Sequence, residues 1–144
     1  LRENRGLVYD VHSAVTHYRD TGALTVYYGL DPANAYEATG VILDQLAAAK
    51  NGLTQEELDK AKELAKGRLL LRMEDTRATA MWFGAQELLL NRIYTVEEVL
   101  ERVDMVTTED VQRVAEEVLR EERLNMAIVG PFRSDSKFRK LIGA

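Results

Sequence analysis

Residues 7–30, LVYDVHSAVTHYRDTGALTVYYGL, determine the class of fold to which this chain belongs. Apolar and polar residues alternate over residues 7–16, which is the period of a strand with one buried face. Residues 19–22 (RDTG) predict a turn, and residues 23–30 are rich in β-branched and aromatic side chains. The stretch therefore predicts an antiparallel β-hairpin.

A series of helices follows the hairpin. Asp31 before Pro32 predicts a helix start, and Asn51-Gly52 predicts its end. The segment Thr54-Gln55-Glu56-Glu57 is a capping box that starts a second helix, in which Gly67 indicates close packing. We expect that helix to bend or break near residues 74–76 before it resumes over residues 78–90.

The last third of the chain predicts three short helices and one strand. Capping boxes at residues 95–98 and 107–110 start two helices with valine-rich faces. Residues 124–131 (LNMAIVGP) predict a third strand, and residues 136–142 predict a terminal helix.

Three strands are too few to cover this much apolar helix surface. We therefore predict an α+β fold, an antiparallel β-sheet with helices packed on one face, whose remaining strands lie upstream or come from a partner. The chain begins at Leu1 rather than Met, so we expect a piece of a larger protein. Within residues 1–144 we expect a single domain, because neither a linker nor a repeat interrupts the sequence.

The composition excludes several classes of function. Hydrophobic residues make up 46% and charged residues 30%, as in a globular protein. A net charge of -5 argues against nucleic acid as a partner. No apolar run approaches the roughly 18 residues that span a bilayer, so we expect no membrane partner. The absence of Cys excludes thiolate chemistry and suits a reducing compartment such as the cytoplasm.

Residues with catalytic or metal-binding chemistry are sparse. His12 and His17 stand five apart on one predicted strand and therefore point to opposite faces, so they cannot share a metal without a bulge. The sequence contains no G-x-S-x-G nucleophile motif, no P-loop and no G-x-G-x-x-G. Its glycines are too scattered to bind a phosphate. Six acidic residues fall in first helical turns, where capping and the helix dipole explain them: Glu56, Glu57, Glu97, Glu98, Glu109 and Asp110. Trp82-Phe83 and residues 88–90 at helical spacing predict core.

Five segments, taken in order, resemble one family of enzymes. These are residues 1–9 (LRENRGLVY), 53–62 (LTQEELDKAK), 68–76 (RLLLRMEDT), 106–115 (VTTEDVQRVA) and 127–131 (AIVGP). Together they look like the C-terminal lobe of the pitrilysin, or insulinase, family of zinc metallopeptidases. The resemblance is to bacterial members close to the mitochondrial processing peptidase. One departure is Asn4, where members commonly carry Lys.

The resemblance implies a specific role for the chain. Family members pair two similar lobes around a chamber, and the N-terminal lobe carries the zinc motif H-x-x-E-H. The sequence lacks that motif, so it resembles the zinc-free partial C-terminal lobe, and we expect this piece alone to bind no zinc and to be inactive. In the intact enzyme, a water activated by zinc would attack the peptide, with zinc and its general-base Glu on the missing lobe.

Arg2 and Tyr9 are the candidate site residues. In the family, an Arg and a Tyr seven residues later reach from the C-terminal lobe towards substrate, and Arg2 and Tyr9 have that spacing. The Arg fork suits a peptide carbonyl, and a Tyr hydroxyl can donate to an oxyanion. The alternative is that Arg2 is solvated and that Tyr9 is a core aromatic of the strand.

Three functions remain open at this point. The first is the substrate-clamping lobe of a zinc metalloendopeptidase that cleaves peptides or unfolded precursor segments in an enclosed chamber. Its partners would be an N-terminal catalytic lobe or partner subunit, a peptide substrate, and further copies in a homo- or hetero-oligomer. The second is a structural subunit of the same fold that has lost zinc, as in the core proteins of the respiratory cytochrome complex. The third is a self-associating α+β domain without peptide contact.

Overall fold

The computed structural model describes residues 6–143 of the 144-residue chain. The strands are β1 (Asp10–His17) and β2 (Gly22–Gly29). The α-helices are α1 (Ala35–Lys50), α2 (Gln55–Met73), α3 (Thr76–Leu90), α4 (Val96–Met105), α5 (Thr108–Val118) and α6 (Ser136–Ile142). Short 3-10 turns at Pro32–Asn34 and Glu121–Arg123 complete the order. The predicted α+β class is confirmed.

The hairpin forms as predicted, but its predicted buried face does not. Strands β1 and β2 pair in a two-stranded sheet, and the Tyr18 N–H donates to the Thr21 carbonyl at 2.9 Å across the turn. Val11 is half-buried, whereas Val15 is 59% exposed. The alternation in the sequence indicates which face of the strand is suited to burial. Within residues 6–143, that face is partly covered at Val11 and is open to solvent at Val15.

The predicted third strand over residues 124–131 is wrong for this structure. These residues follow the turn at Glu121–Arg123 without entering the sheet, and Val129 is fully exposed. A strand exists only where a neighbour supplies ladder hydrogen bonds. The described chain supplies no such neighbour for this segment, so its β-branched residues stay in irregular structure.

The described chain divides into two compact units. The first comprises residues 6–16, 22–51 and 112–143, and the second comprises residues 17–21 and 52–111. Helix α5 begins in the second unit and ends in the first. A single domain over residues 1–144 stays a prediction, because compactness of contacts is not a test of independent folding.

The core of the first unit lies between the start of the hairpin and α1. Leu7, Val8 and Ala38 are buried together, with four partly buried residues packed against them: Val11, Tyr28, Leu30 and Val41. Helix α6 packs on α1, where the buried Phe138 ring lies 6.3 Å from the Tyr36 ring. This core fixes the backbone from which the first strand emerges.

Helices α2, α3 and α4 lie wholly within the second unit. Helix α2 packs against α3 and α4, and its Leu58 is 3% exposed. Polar contacts also join α2 to α4, since Lys66 Nζ lies 2.9 Å from Asp104 Oδ1 and Lys62 Nζ donates to the Asp104 carbonyl at 2.8 Å. The predicted break is confirmed, because α2 ends at Met73 and Asp75 caps α3.

Two predictions about packing in the second unit are wrong. The apolar stripe of α3 is not core in this structure: no α3 residue is buried, Leu88 is 79% exposed and Trp82 is only half-buried. Gly67 is not at a close contact either, because an added Cβ would meet no atom within 4 Å. Spacing along a helix shows which face is apolar, but it does not show whether a neighbour covers that face.

None of the described helices combines the length and the apolar content needed to cross a membrane.

Candidate functional site

Tyr9 stands where the chain leaves the core and enters β1. The two preceding residues, Leu7 and Val8, are 8% and 5% exposed, whereas Tyr9 is 70% exposed. Two buried neighbours therefore hold its backbone while its side chain projects into solvent. The alternative reading of Tyr9 as a core-facing aromatic does not describe this chain.

Gly29 lies across the hairpin from Tyr9. The Tyr9 N–H donates to the Gly29 carbonyl at 2.9 Å. The Tyr9 ring also lies against Gly29, because a Cβ added there would be 2.5 Å from Cε2 and 3.2 Å from the hydroxyl oxygen of Tyr9. Tyr9 is thus held at its backbone by a hydrogen bond and at its ring by contact with a residue that has no side chain.

Arg2, the other predicted site residue, lies outside the described residues. The structure therefore does not bring Arg2 and Tyr9 together or separate them. The pairing stays a prediction that rests on their spacing in the sequence.

The polar side chains of Asp10 and His12, which follow Tyr9 on β1, form only weak contacts. The Nδ1 atom of His12 lies 3.7 Å from Asp10 Oδ2, with both side chains more than half exposed. The His12 ring also lies 5.0 Å from the Tyr27 ring, centroid to centroid. That separation of His12 from Asp10 is too long for a hydrogen bond, and exposed ion pairs contribute little. His12 and its neighbours therefore offer no general-base arrangement.

The residues present do not fit zinc. Within residues 6–143, no group of three or more His, Cys, Asp or Glu side chains could hold a metal ion. Hydrogen bonds from Thr54 lower the pKa of Glu57, hydrogen bonds at its own helix start lower that of Glu109, and Arg139 lowers that of Asp135. The shifts of Glu57 and Glu109 come from hydrogen bonds at helix starts, and that of Asp135 comes from its ion pair with Arg139, so none of the three indicates catalysis.

The contact of Gly29 with Tyr9 is not predicted from the sequence, in which Gly29 is one of several scattered glycines. A useful signal was nevertheless present, because a glycine within a strand often marks a close approach by another group, and an aromatic residue on the neighbouring strand commonly covers it.

Comparison with known proteins identifies relatives of the chain. Residues 1–65 match the family described as "Peptidase M16 inactive domain". An uncharacterized zinc protease of Mycobacterium leprae is 35% identical over 93% of this chain and 30% of its own length. The uncharacterized zinc protease YmxG of Bacillus subtilis is 33% identical, over 91% of this chain and 32% of its own length.

More distant relatives share the same region. The mitochondrial-processing peptidase subunit beta of Bos taurus is 26% identical over 94% of this chain and 28% of its own length. The chain thus spans about three-tenths of the length of the curated relatives it matches.

The fold recurs in a solved structure. A chain in the structure of complex III2 from Candida albicans with Inz-5 bound has a TM-score of 0.74 and 18% identity. The match covers 81% of this chain and 28% of that one. Taken together, the match over residues 1–65 and the sequence relatives show that the chain is similar to the C-terminal lobe of the pitrilysin, or insulinase, family of zinc metallopeptidases, in the branch close to the mitochondrial processing peptidase.

Proposed function

We propose that this chain is the substrate-clamping C-terminal lobe of a zinc metalloendopeptidase that hydrolyses peptides or unfolded precursor segments in an enclosed chamber. The names of its relatives, zinc proteases and a processing peptidase subunit, support the class of reaction. Zinc would be held by another lobe, because the described residues of this one do not supply its ligands. The chain alone is then inactive.

The observation that carries the proposal is the exposure of Tyr9 on a fixed backbone. Tyr9 is 70% exposed, yet Leu7 and Val8 beside it are buried and its N–H donates a hydrogen bond to the Gly29 carbonyl. Such a hydroxyl is available to a substrate and loses little freedom on binding one. In peptide hydrolysis the carbonyl oxygen gains negative charge, and a Tyr hydroxyl aimed at it can donate a hydrogen bond that strengthens as the charge develops.

Arg2 would act on the substrate in a different way. Its guanidinium can donate to a peptide carbonyl through a fixed fork, which binds substrate without following the change in charge. Loss of Arg2 should therefore raise KM, whereas loss of the Tyr9 hydroxyl should lower kcat. Arg2→Lys keeps the positive charge but removes the forked guanidinium, whereas Arg2→Ala removes both. Comparison of their KM values therefore separates the effect of the hydrogen-bonding geometry from that of the charge.

The test uses the full-length protein with a peptide substrate. Tyr9→Phe removes only the hydroxyl, and we expect kcat to fall about 100-fold with KM changed less than about twofold, as for loss of one oxyanion donor. The measurement is steady-state kinetics on the purified variant. Unchanged kcat would contradict the role of Tyr9.

Tyr18→Phe is the matched control for this experiment. Tyr18 is also a hairpin tyrosine and is 60% exposed, against 70% for Tyr9. Removal of its hydroxyl should leave both kinetic constants unchanged. An equal fall in kcat in both variants would point to a general effect on the hairpin and count against the proposal.

A second candidate function is a non-catalytic assembly subunit. The observation that favours it is the fold shared with a chain of complex III2, at 81% coverage of this chain. The two candidates differ in the longer protein, because a peptidase requires an H-x-x-E-H motif or a partner that carries one. Peptide hydrolysis by the purified longer protein, alone or with its partner subunit, would exclude the assembly role.

The proposed partners are an N-terminal catalytic lobe or a partner subunit, and further copies in a homo- or hetero-oligomer. Exposed apolar side chains on the hairpin and on α3 support the proposal that a partner covers these surfaces. Val15, Met81 and Leu88 are each more than half exposed. The bacterial zinc protease relatives are consistent with the cytoplasm of a bacterium as the proposed location.

A further inference from the structure

We propose that Gly29 is a positioning residue for Tyr9, and that its lack of a side chain sets where the Tyr9 hydroxyl stands. This inference rests on the proposed function, in which that hydroxyl donates to the substrate. It adds a second residue, on the opposite strand, to the same site.

The backbone of Gly29 does not itself require glycine. Among the described glycines only Gly6, Gly52 and Gly143 have positive φ angles, so Gly29 has a conformation that any residue can adopt. The reason for glycine must lie in the space above it. Glycine in a strand commonly marks such a close approach.

That space is filled by the Tyr9 ring. A Cβ at residue 29 would lie 2.5 Å from Tyr9 Cε2 and 3.1 Å from Cζ, whereas ordinary van der Waals contact begins at 3.4 Å. The ring would therefore have to retreat by about 0.9 Å, the difference between 3.4 and 2.5 Å. A misplacement of about 1 Å in a group that contacts the reacting atoms can lower the rate about 100-fold.

A purely structural explanation is that the ring covers Gly29 to stabilise the hairpin. The exposure of Tyr9 argues against this explanation, because a residue that is 70% exposed gains little from burial. The ring is the free end of a side chain, so it can rotate away from a new Cβ with little loss of stability. Catalysis, which depends on the position of the hydroxyl, should be affected more than folding.

The experiment is a double-mutant cycle in the full-length enzyme with Gly29→Ala, Tyr9→Phe and the double variant. We expect Gly29→Ala to lower kcat at least tenfold, with KM changed less than about twofold and the midpoint of thermal unfolding nearly unchanged. The double variant should be no slower than Tyr9→Phe, because the hydroxyl that Gly29 positions is already gone. Gly40→Ala, at a helical glycine with no atom within 4 Å of an added Cβ, is the control and should match the parent enzyme.

The outcomes separate this inference from the proposed function. If Tyr9→Phe lowers kcat and Gly29→Ala does not, the inference about Gly29 is wrong and the proposed function stands. A normal Tyr9→Phe overturns both, because Gly29 would have no catalytic group to position. Additive losses in the double variant, or a Gly29→Ala protein that does not fold, also overturn it, since Gly29 would then act through packing rather than through Tyr9.

Discussion

At the scale of single residues, one buried hydroxyl joins the hairpin to α1. Thr39 is 4% exposed, and its hydroxyl donates to the Ala35 carbonyl at 2.7 Å. A Thr hydroxyl has one proton, so the Tyr28 hydroxyl, 2.9 Å away, must be the donor in the second bond. A side chain of β2 is thereby hydrogen-bonded to the helix that covers the core.

Removal of the Tyr28 hydroxyl should weaken the first unit. We expect Tyr28→Phe to lower the free energy of unfolding by about 1 kcal/mol, because it breaks a partly buried hydrogen bond without opening a cavity. Chemical denaturation monitored by circular dichroism measures the change. Tyr18→Phe, which removes a more exposed hydroxyl, is the control and should shift the free energy by less than about 0.5 kcal/mol. Equal effects of the two variants would contradict this assignment.

At the scale of elements, helix starts were predictable and the last strand was not. Thr54 and Thr95 each form the predicted capping box with the glutamate three residues on, and Thr107 pairs with Asp110 in the same way. A cap involves only a few consecutive residues, so its sequence is sufficient evidence. A strand requires a partner from elsewhere, and residues 124–131 have none in the described chain.

The capping box of α2 predicts a pH dependence. The Thr54 N–H donates to Glu57 Oε2 at 2.9 Å, and the hydrogen bonds from Thr54 lower the pKa of Glu57. A carboxyl group with a lowered pKa in the folded state stabilises that state above its unfolded pKa of about 4.3, and this contribution is lost as pH falls through the folded pKa. The difference in unfolding free energy between the parent and Glu57→Gln should therefore be largest near neutral pH and shrink as the carboxyl group becomes protonated.

Denaturation at a series of pH values below neutral checks this expectation. Glu56→Gln removes the same charge one residue earlier, where no capping-box hydrogen bond is lost, and serves as the control. A difference for Glu57→Gln that grows as pH falls would show that the carboxylate does not stabilise the cap.

At the scale of the whole molecule, the family was predictable from ordered segments, but the surroundings of the site were not. The exposure of Tyr9 depends on burial of Leu7 and Val8 against α1, and its contact with Gly29 depends on the pairing of two strands. Neither can be read from spacing along one strand. The sequence predicts the α3 stripe as core, and the structure leaves it exposed, because spacing along a helix does not show whether another element covers its apolar face.

The chain as a whole should not retain zinc. Residues 6–143 contain no adequate group of ligands, and the complete sequence has no Cys. After dialysis, elemental analysis of this 144-residue chain should give far less than one zinc, whereas an active full-length peptidase should hold about one per zinc-binding lobe. Roughly one tightly held zinc on the chain alone would contradict the assignment to the zinc-free lobe.

The division into two units has a consequence for the order in which parts of the protein can fold during synthesis. The first unit combines residues 6–51, apart from the hairpin turn, with residues 112–143, and the Phe138 ring near the end of the chain contacts Tyr36 near its start. Residues 52–111 leave the ribosome before the second half of that unit exists. Helices α2 to α4 can therefore pack against one another before residues 112–143 are synthesised, whereas the contact between α1 and α6 can form only afterwards.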